Sequence, residues 1–299
     1  MWTTKEIPNQ KGRTVIVTGG NTGIGYETAL ALYQTGANVI VACRDKDKAK
    51  NAITEMENQK GAGCLEIGIL DLASLNSVRQ FAETFIEKHQ QLHLLINNAG
   101  VATPPLSKTS EGYELQFGVN FLGHFALTGL LYPLLKATQG SRIVTLSSNG
   151  YQNAVINFDN LKSEKDYNPL REYRQSKFAN LIFSIELDRK IKAKGQKVLS
   201  IAAQPGANNT DLTRHLSDEE IAIGKERLGA FMEPWQGALT SLYAAVSNKA
   251  IGGDMYEPDD MGLRGYPTLA TIRENAMDEA VAKKLWNTAQ EITGIVYPI

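Results

Sequence analysis

From Thr14 to Ala203, short runs rich in β-branched residues alternate with amphipathic stretches of helical length. TVIVT (Thr14 to Thr18), NVIVA (Asn38 to Ala42), Cys64 to Leu70, LHLLI (Leu92 to Ile96), RIVTL (Arg142 to Leu146) and KVLSIAA (Lys197 to Ala203) read as strands. Ile24 to Gln34, Asp45 to Gln59, Ser74 to His89, Glu111 to Thr138 and Leu170 to Ala193 read as the helices between them, with Gly36 as a stop signal. Strand–helix alternation of this kind builds a parallel sheet covered on both faces. Right-handed crossovers then make the sheet doubly wound. The sequence therefore predicts an α/β fold in one domain over residues 1–299, with its core at about 12–250 and a substrate-loop and C-terminal region at about 207–299. After Ala203 the pattern weakens, and helices are expected at Asp218 to Leu228, Pro234 to Ser247 and Asp278 to Ile292. Gly150 to Asn168 is polar and poorly periodic, and reads as a surface insertion.

Composition narrows the class. The 31 Lys+Arg balance 32 Asp+Glu to a net charge of −1, which gives no basic face for nucleic acid. Cys43 and Cys64, the two cysteines, make no disulfide framework and read as free thiols of a reducing compartment. The N-terminus carries no apolar signal region. The most apolar stretch, Phe121 to Leu135, is interrupted by Gly123, His124, Thr128, Gly129 and Pro133, and reads as a buried helix too short to span a bilayer. No integral membrane segment and a cytoplasmic location are expected. No His/Cys/carboxylate cluster suggests a metal.

The first strand runs into Thr18-Gly19-Gly20-Asn21-Thr22-Gly23-Ile24-Gly25 and then a helix. Glycines let the backbone turn tightly and approach a pyrophosphate, and the helix amides then face the anion. A plain strand-to-helix turn would also use glycine, but the position after strand one favours nucleotide binding. At the end of strand two, where NAD readers place an acidic residue for the ribose 2′-hydroxyl, the chain has Cys43 followed by Arg44. A guanidinium suits a 2′-phosphate, so NADP(H) is expected in preference to NAD(H). A solvated Arg44, or Asp45 serving the ribose, is the alternative.

Tyr173 and Lys177 are four residues apart in a predicted helix and so share a face. A neighbouring ammonium favours the phenolate, which would lower a phenol pKa of about 10 toward working pH. Such a pair can pass a proton to or from an alcohol oxygen. By itself the spacing is common in helices. Strand five, however, ends in Ser147-Ser148, at the carboxyl edge of the sheet where ligands bind.

These elements together resemble the short-chain dehydrogenase/reductase family over nearly the full chain. The matching segments are Thr18 to Gly25, Asp71-Leu72, Asn97-Asn98-Ala99-Gly100, Asn120, Ser148, Tyr173 with Lys177, and Pro205-Gly206. Val41 to Asp45, Phe117 to Phe125 and the long separation from Ser148 to Tyr173 resemble its retinol dehydrogenase and protochlorophyllide reductase-like branch. The resemblance implies a Rossmann fold and an NADP(H)-dependent oxidoreductase that interconverts an alcohol and a carbonyl compound. It implies Tyr173 as general acid/base, Ser148 orienting the carbonyl, and Asn120 holding a water in a relay with Lys177. For the cofactor it implies Gly19, Asn21, Thr22, Gly23, Ile24 and Gly25 at the pyrophosphate, and Asp71 and Leu72 at the adenine. Asn98, Ala99 and Gly100 would lie beside the adenine ribose. Lys177, with Tyr173 beside it, would meet the nicotinamide ribose, and Pro205, Gly206, Asn208 and Thr210 the carboxamide and phosphate. Two positions depart from the branch: Gln204 stands where His is common before Pro-Gly, and Asn208 where Val or Ile is usual. His124 reads as a core or relay-neighbour residue. The family also implies a homodimer through the two long helices as one arrangement, although members of this branch can be monomers.

Two other functions compete. A non-catalytic NAD(P)-sensing or scaffold protein on the same fold would be expected to lose Tyr or Lys, and this chain keeps both. A sugar-nucleotide epimerase would be longer and have a different glycine spacing. The loops at roughly Ala102 to Thr109, Tyr151 to Asn168 and Asn208 to Met232 should set specificity. Their mixture of Leu212, Leu228, Phe231 and polar residues, with Trp235 just beyond, suggests a moderately hydrophobic carbonyl or alcohol partner.

Overall fold

The computed structural model describes residues 1–210, 212, 219, 222, 226 and 231–299. The helix expected at Asp218 to Leu228 falls largely outside the described residues. Eight strands form one sheet: β1 (Thr14–Thr18), β2 (Asn38–Cys43), β3 (Cys64–Ile69), β4 (Leu94–Asn97), β5 (Arg142–Leu146), β6 (Leu199–Ala203), β7 (Met255–Asp260) and β8 (Arg264–Leu269). Their order is β3-β2-β1-β4-β5-β6-β7-β8, parallel throughout except for the antiparallel β7–β8 pair. Strand order reverses between β1 and β4, which opens a crevice at their carboxyl ends.

The central strands are buried on both faces, and their alternation feeds two cores. Ile16, Leu95 and Ile143 point to one side; Val15, Val17, Leu94, Ile96, Val144 and Leu146 point to the other. Among the described residues, seven α-helices cover the sheet: α1 (Gly23–Gln34), α2 (Lys46–Asn58), α3 (Leu75–Lys88), α4 (Gly123–Ala137), α5 (Pro169–Ala193), α6 (Pro234–Val246) and α7 (Glu279–Thr293). Asp45, Ser74, Asn168 and Asp278 each accept backbone N–H bonds at the start of α2, α3, α5 and α7, which fixes those boundaries.

Two expectations are corrected. The helix predicted from Glu111 begins only at Leu115, because Gly112 turns at φ +82° and the Glu111 to Glu114 stretch folds back on Lys108. It then passes through a π segment (Phe117–Leu122) before α4. The combined helix Phe117–Ala137 is 21 residues and long enough to cross a membrane, yet 83% of its most apolar window is buried inside the protein. The segment after Gly150 lies at the surface, with about half its residues exposed, and is anchored at a few points. Tyr151, Asn160, Leu161 and Ser163 are buried, and Tyr151 stacks on Phe178 of α5 with ring centroids 6.5 Å apart.

The two long helices α4 and α5 carry further packing on their outer side. The chain's own C-terminus lies on them. Trp286 of α7 stacks on Phe183 (6.1 Å) and meets Phe125 edge-on (5.2 Å). Tyr297 packs on Phe125 at 4.9 Å and donates to its carbonyl at 2.6 Å. A Cβ on Gly129 would clash with Ile295 and Tyr297. This part of the helix pair is therefore occupied from within the chain. Cys43 is buried and Cys64 exposed, at opposite ends of the β2–β3 ladder, and both are free.

Candidate active site

Strand β1 ends at Thr18, and the next turns are set by backbone geometry that only glycine takes without strain. Gly19 and Gly23 sit at φ +65° and +56°. A Cβ on Gly25 would overlap the Gly19 carbonyl oxygen and the Asn98 side-chain amide. The result is a cradle of bare backbone at the N-terminus of α1, which has no acidic residue in its first turn. That geometry fits a dinucleotide pyrophosphate. The turn is tied to the end of β4: the Thr18 hydroxyl accepts from Asn98 N (2.9 Å) and Ala99 N (3.0 Å), and Asn98 Nδ2 donates to Thr18 O (2.7 Å).

A cleft of about 530 Å³ starts at this cradle and ends at the expected catalytic helix. Gly19, Asn21, Thr22, Gly23, Ile24, Gly25, Arg44, Asp71, Leu72, Asn98, Ala99, Gly100, Tyr173, Lys177, Pro205 and Thr210 all line it. Thr210 closes over Gly23. Two expected cofactor residues do not reach this wall. Gly206 is packed beneath the Leu263 carbonyl and Met232. Asn208 turns back to donate to Pro205 O (2.6 Å) and Gly206 O (3.1 Å), so its amide braces the loop.

At the far edge of the cleft Arg44 is exposed, with Lys48 one helical turn further on. Asp45 lines the same edge, but its carboxylate accepts from Asp47 N (3.0 Å) and Lys48 N (3.1 Å) as the cap of α2. Lys48 was missed in the sequence. Its only signal is its place in the first turn of a helix that starts beside Arg44.

Tyr173 and Lys177 share one face of α5, with the lysine nitrogen 6.0 Å from the phenol ring centroid. Lys177 is buried, donates to Leu146 O at 3.2 Å, and is lowered by that burial to about 8. Burial also raises the Tyr173 phenol above its ordinary value, opposed by a hydrogen bond from Ser148. The sequence argument expected lysine to lower the phenol. In the chain itself desolvation dominates instead, because both groups are taken from water and the ammonium is not in contact with the oxygen.

The Ser147-Ser148 pair divides its work. Ser148 meets Tyr173 and accepts from Gly150 N at 3.2 Å. Ser147 is buried and donates to the Lys177 carbonyl at 2.8 Å, which docks α5 on β5. Asn120 lies in the π segment, fully buried, with its side chain committed: Oδ1 accepts from Val101 N (2.8 Å), and Nδ2 donates to Val101 O (3.0 Å) and Ser176 Oγ (2.9 Å). Its amide therefore clamps the β4 loop to α5, beside Lys177. Asn120 is buried behind the wall of the cleft, whereas Ser148 is part-exposed beside Tyr173.

Gln204, the departure before Pro205-Gly206, is buried. It accepts from Gly206 N (2.9 Å) and donates to Glu257 Oε2 (3.1 Å) and Gly262 O (2.6 Å). It thereby latches the β7–β8 turn against the end of β6. Asn149 Nδ2 holds the same turn at Gly262 O (3.0 Å). Among the described residues, no group of three His, Cys or carboxylate side chains could hold a metal.

Comparison with known proteins agrees with this geometry. Residues 13–221 match the family model for short chain dehydrogenases. Retinol dehydrogenase 14 of Mus musculus is 40% identical over 304 residues, covering 95% of this chain and 87% of that protein. Polyprenol dehydrogenase of Homo sapiens is 37% identical over 300 residues, covering 97% and 88%. The crystal structure of an uncharacterized protein from Mycobacterium paratuberculosis superimposes with a TM-score of 0.84 at 35% identity, covering 100% of this chain and 99% of that one. A Rossmann-type sheet, a glycine cradle leading to a Tyr–Lys helix, and relatives of this similarity over almost the whole chain place the protein in the short-chain dehydrogenase/reductase family, with retinol dehydrogenases among its relatives.

Proposed function

We propose that the chain is an NADP(H)-preferring oxidoreductase, acting as a single unit, that interconverts an apolar alcohol and its carbonyl compound. The observation that carries this reading is the single cleft that joins the glycine cradle and Arg44 at one end to Tyr173 and Lys177 at the other. The cofactor, when bound, supplies or accepts the hydride at the substrate carbon. Tyr173 passes the proton to or from the substrate oxygen, since its hydroxyl is paired with Ser148 on that wall while the Lys177 ammonium is engaged by Leu146 O. Ser148 shares a hydrogen bond with the phenol and orients the oxygen beside it. Lys177 sets the charge near both and is within reach of the ribose. Asn120 holds the π segment and the β4 loop in register with α5.

Preference for NADP(H) rests on Arg44 and Lys48 at the free edge of the cleft and on Asp45 being engaged as a helix cap. The names of the relatives, retinol and polyprenol dehydrogenases, favour an apolar substrate. Leu115, Val119 and Leu212 on the cleft wall suit one. The test is a screen of NADPH and NADH oxidation against aliphatic aldehydes, retinoids, polyprenals, ketones, steroids and sugars. NADPH turnover on an apolar aldehyde or ketone is the expected result. Activity with polar sugars alone, or equal use of NADH, would contradict it.

A further inference from the structure

Among the buried titratable groups, His124 stands out because no step of the reaction uses it. It is fully buried at the second position of α4, directly after the π segment. Its Nδ1 is 2.8 Å from the main-chain oxygen of Asn120, and its Nε2 is 2.8 Å from the hydroxyl of Thr18. A carbonyl oxygen can only accept, so Nδ1 carries the proton. Nε2 of the neutral ring then accepts from the Thr18 hydroxyl. Burial and the nearby Lys177 charge hold the ring neutral, its pKa lowered to about 4. The same Thr18 oxygen accepts the amides of Asn98 and Ala99, while the Asn120 amide clamps Val101 and Ser176.

We infer that His124 is a positioning residue that locks the pyrophosphate cradle and the Asn120 segment to one another through its two ring nitrogens. One imidazole thereby joins the two ends of the cleft: the turn that begins at Thr18, and the π segment against which Ser176 of α5 is held. The two bonds are chemically separable. An asparagine places a donor near the δ position and can serve Asn120 but not Thr18. A glutamine reaches the ε position and can serve Thr18 but not Asn120. Leaving a buried partner unsatisfied costs about 5- to 100-fold in whatever equilibrium depends on it.

The inference rests on the functional reading above for its kinetic arm only. In the cofactor-free protein, amide hydrogen exchange reads the coupling directly. His124→Asn is expected to speed exchange at Gly19, Asn98 and Ala99 and to spare Phe117–Leu122 and Val101. His124→Gln is expected to do the reverse. In the kinetic arm, His124→Asn should weaken NADPH binding about 5- to 100-fold, read by fluorescence titration, with kcat little changed. His124→Gln should lower kcat by a similar factor with NADPH affinity little changed. Thr18→Ser, which keeps the hydroxyl that serves His124, Asn98 and Ala99, should retain the unmutated behaviour. Loss at both sites in both variants, or at neither, overturns the inference even if each variant folds. If the exchange pattern separates as described while the unmutated protein does not bind NADPH, the coupling stands and the functional reading falls.

Discussion

The hydroxyl of Ser147 donates to the main-chain oxygen of Lys177 at 2.8 Å, so the first of two adjacent serines is a strut and the second faces the phenol. Ser147→Ala should lower stability by about 0.5–1.5 kcal/mol in urea unfolding, the net value of one buried hydrogen bond. Ser148→Ala should leave unfolding and NADPH affinity nearly unchanged and lower kcat by about 10²- to 10³-fold, as for one donor at a developing oxyanion. A larger kinetic loss for Ser147→Ala would reverse the assignment within the pair.

Arg44 and Asp45 are adjacent but are assigned different tasks. Arg44→Ala should weaken NADPH about 10- to 150-fold, since a charged hydrogen bond contributes about 1.5–3 kcal/mol, and should leave NADH almost untouched. Lys48→Ala should act in the same direction with smaller effect, because a point charge lacks the planar fork. Asp45→Ala should cost about 0.5–2 kcal/mol of stability as a lost helix cap without changing the ratio of the two cofactor affinities. Calorimetric titration of both cofactors decides it. A selective loss of NADH affinity in Asp45→Ala would restore the carboxylate to the ribose.

The sequence made some of these features legible and hid others for physical reasons. β1, β4 and β5 are buried on both faces, so selection for β-branched residues left near-continuous runs such as Val15-Ile16-Val17. β7 and β8 carry Pro258, Asp259, Asp260 and Pro267, residues tolerated only near an edge or bulge, and the ladder shifts register at Pro258/Asp260. No periodicity marks such strands. The glycine turn, Tyr173 and Lys177 stood out because each is a local pattern. The bonds from His124 to Thr18, 106 positions away, and from Gln204 to Gly262 join distant residues and leave no local trace. Gln204 was visible only as a departure from its branch. The anchoring of the surface strap around Tyr151 left no trace because it rests on contacts, such as Asn160 with Asp166, that its lack of periodicity does not reveal.

Lys177 is costly to the fold. Its pKa of about 8 in the folded chain, against about 10.5 unfolded, means the unfolded state binds more protons between those values. Stability from this group is therefore complete above about pH 10.5 and is lost as pH falls through about 8. Lys177→Met should raise neutral-pH stability by about 1–3 kcal/mol while abolishing turnover, and the gain should shrink as pH rises from 8 toward 10. Chemical unfolding at a series of pH values measures this. A Met variant less stable than the parent at pH 7 would show that the buried ammonium is net favourable through its bond to Leu146.

Tyr173 is the group whose loss should separate binding from chemistry. It lines the cleft, and its hydroxyl shares a hydrogen bond with Ser148. Burial raises the phenol, so in the cofactor-free chain at neutral pH it is protonated, the form that reduction consumes. Reduction should be flat with pH near neutrality, whereas oxidation, which requires the phenolate, should rise with pH over the same range. A difference titration at the phenolate absorption band, parent minus Tyr173→Phe, should place the Tyr173 ionisation above that of free tyrosine when no cofactor is present. An ionisation below it would mean that Lys177 outweighs burial. Tyr173→Phe removes one oxygen and keeps the ring, so fold and NADPH affinity should persist. Positioned proton transfer contributes about 10²- to 10⁴-fold, and kcat in both directions should fall by at least the lower figure. Near-normal turnover by the Phe variant on a substrate from the screen would assign the proton to another group, and among the side chains lining that end of the cleft Lys177 is the next candidate.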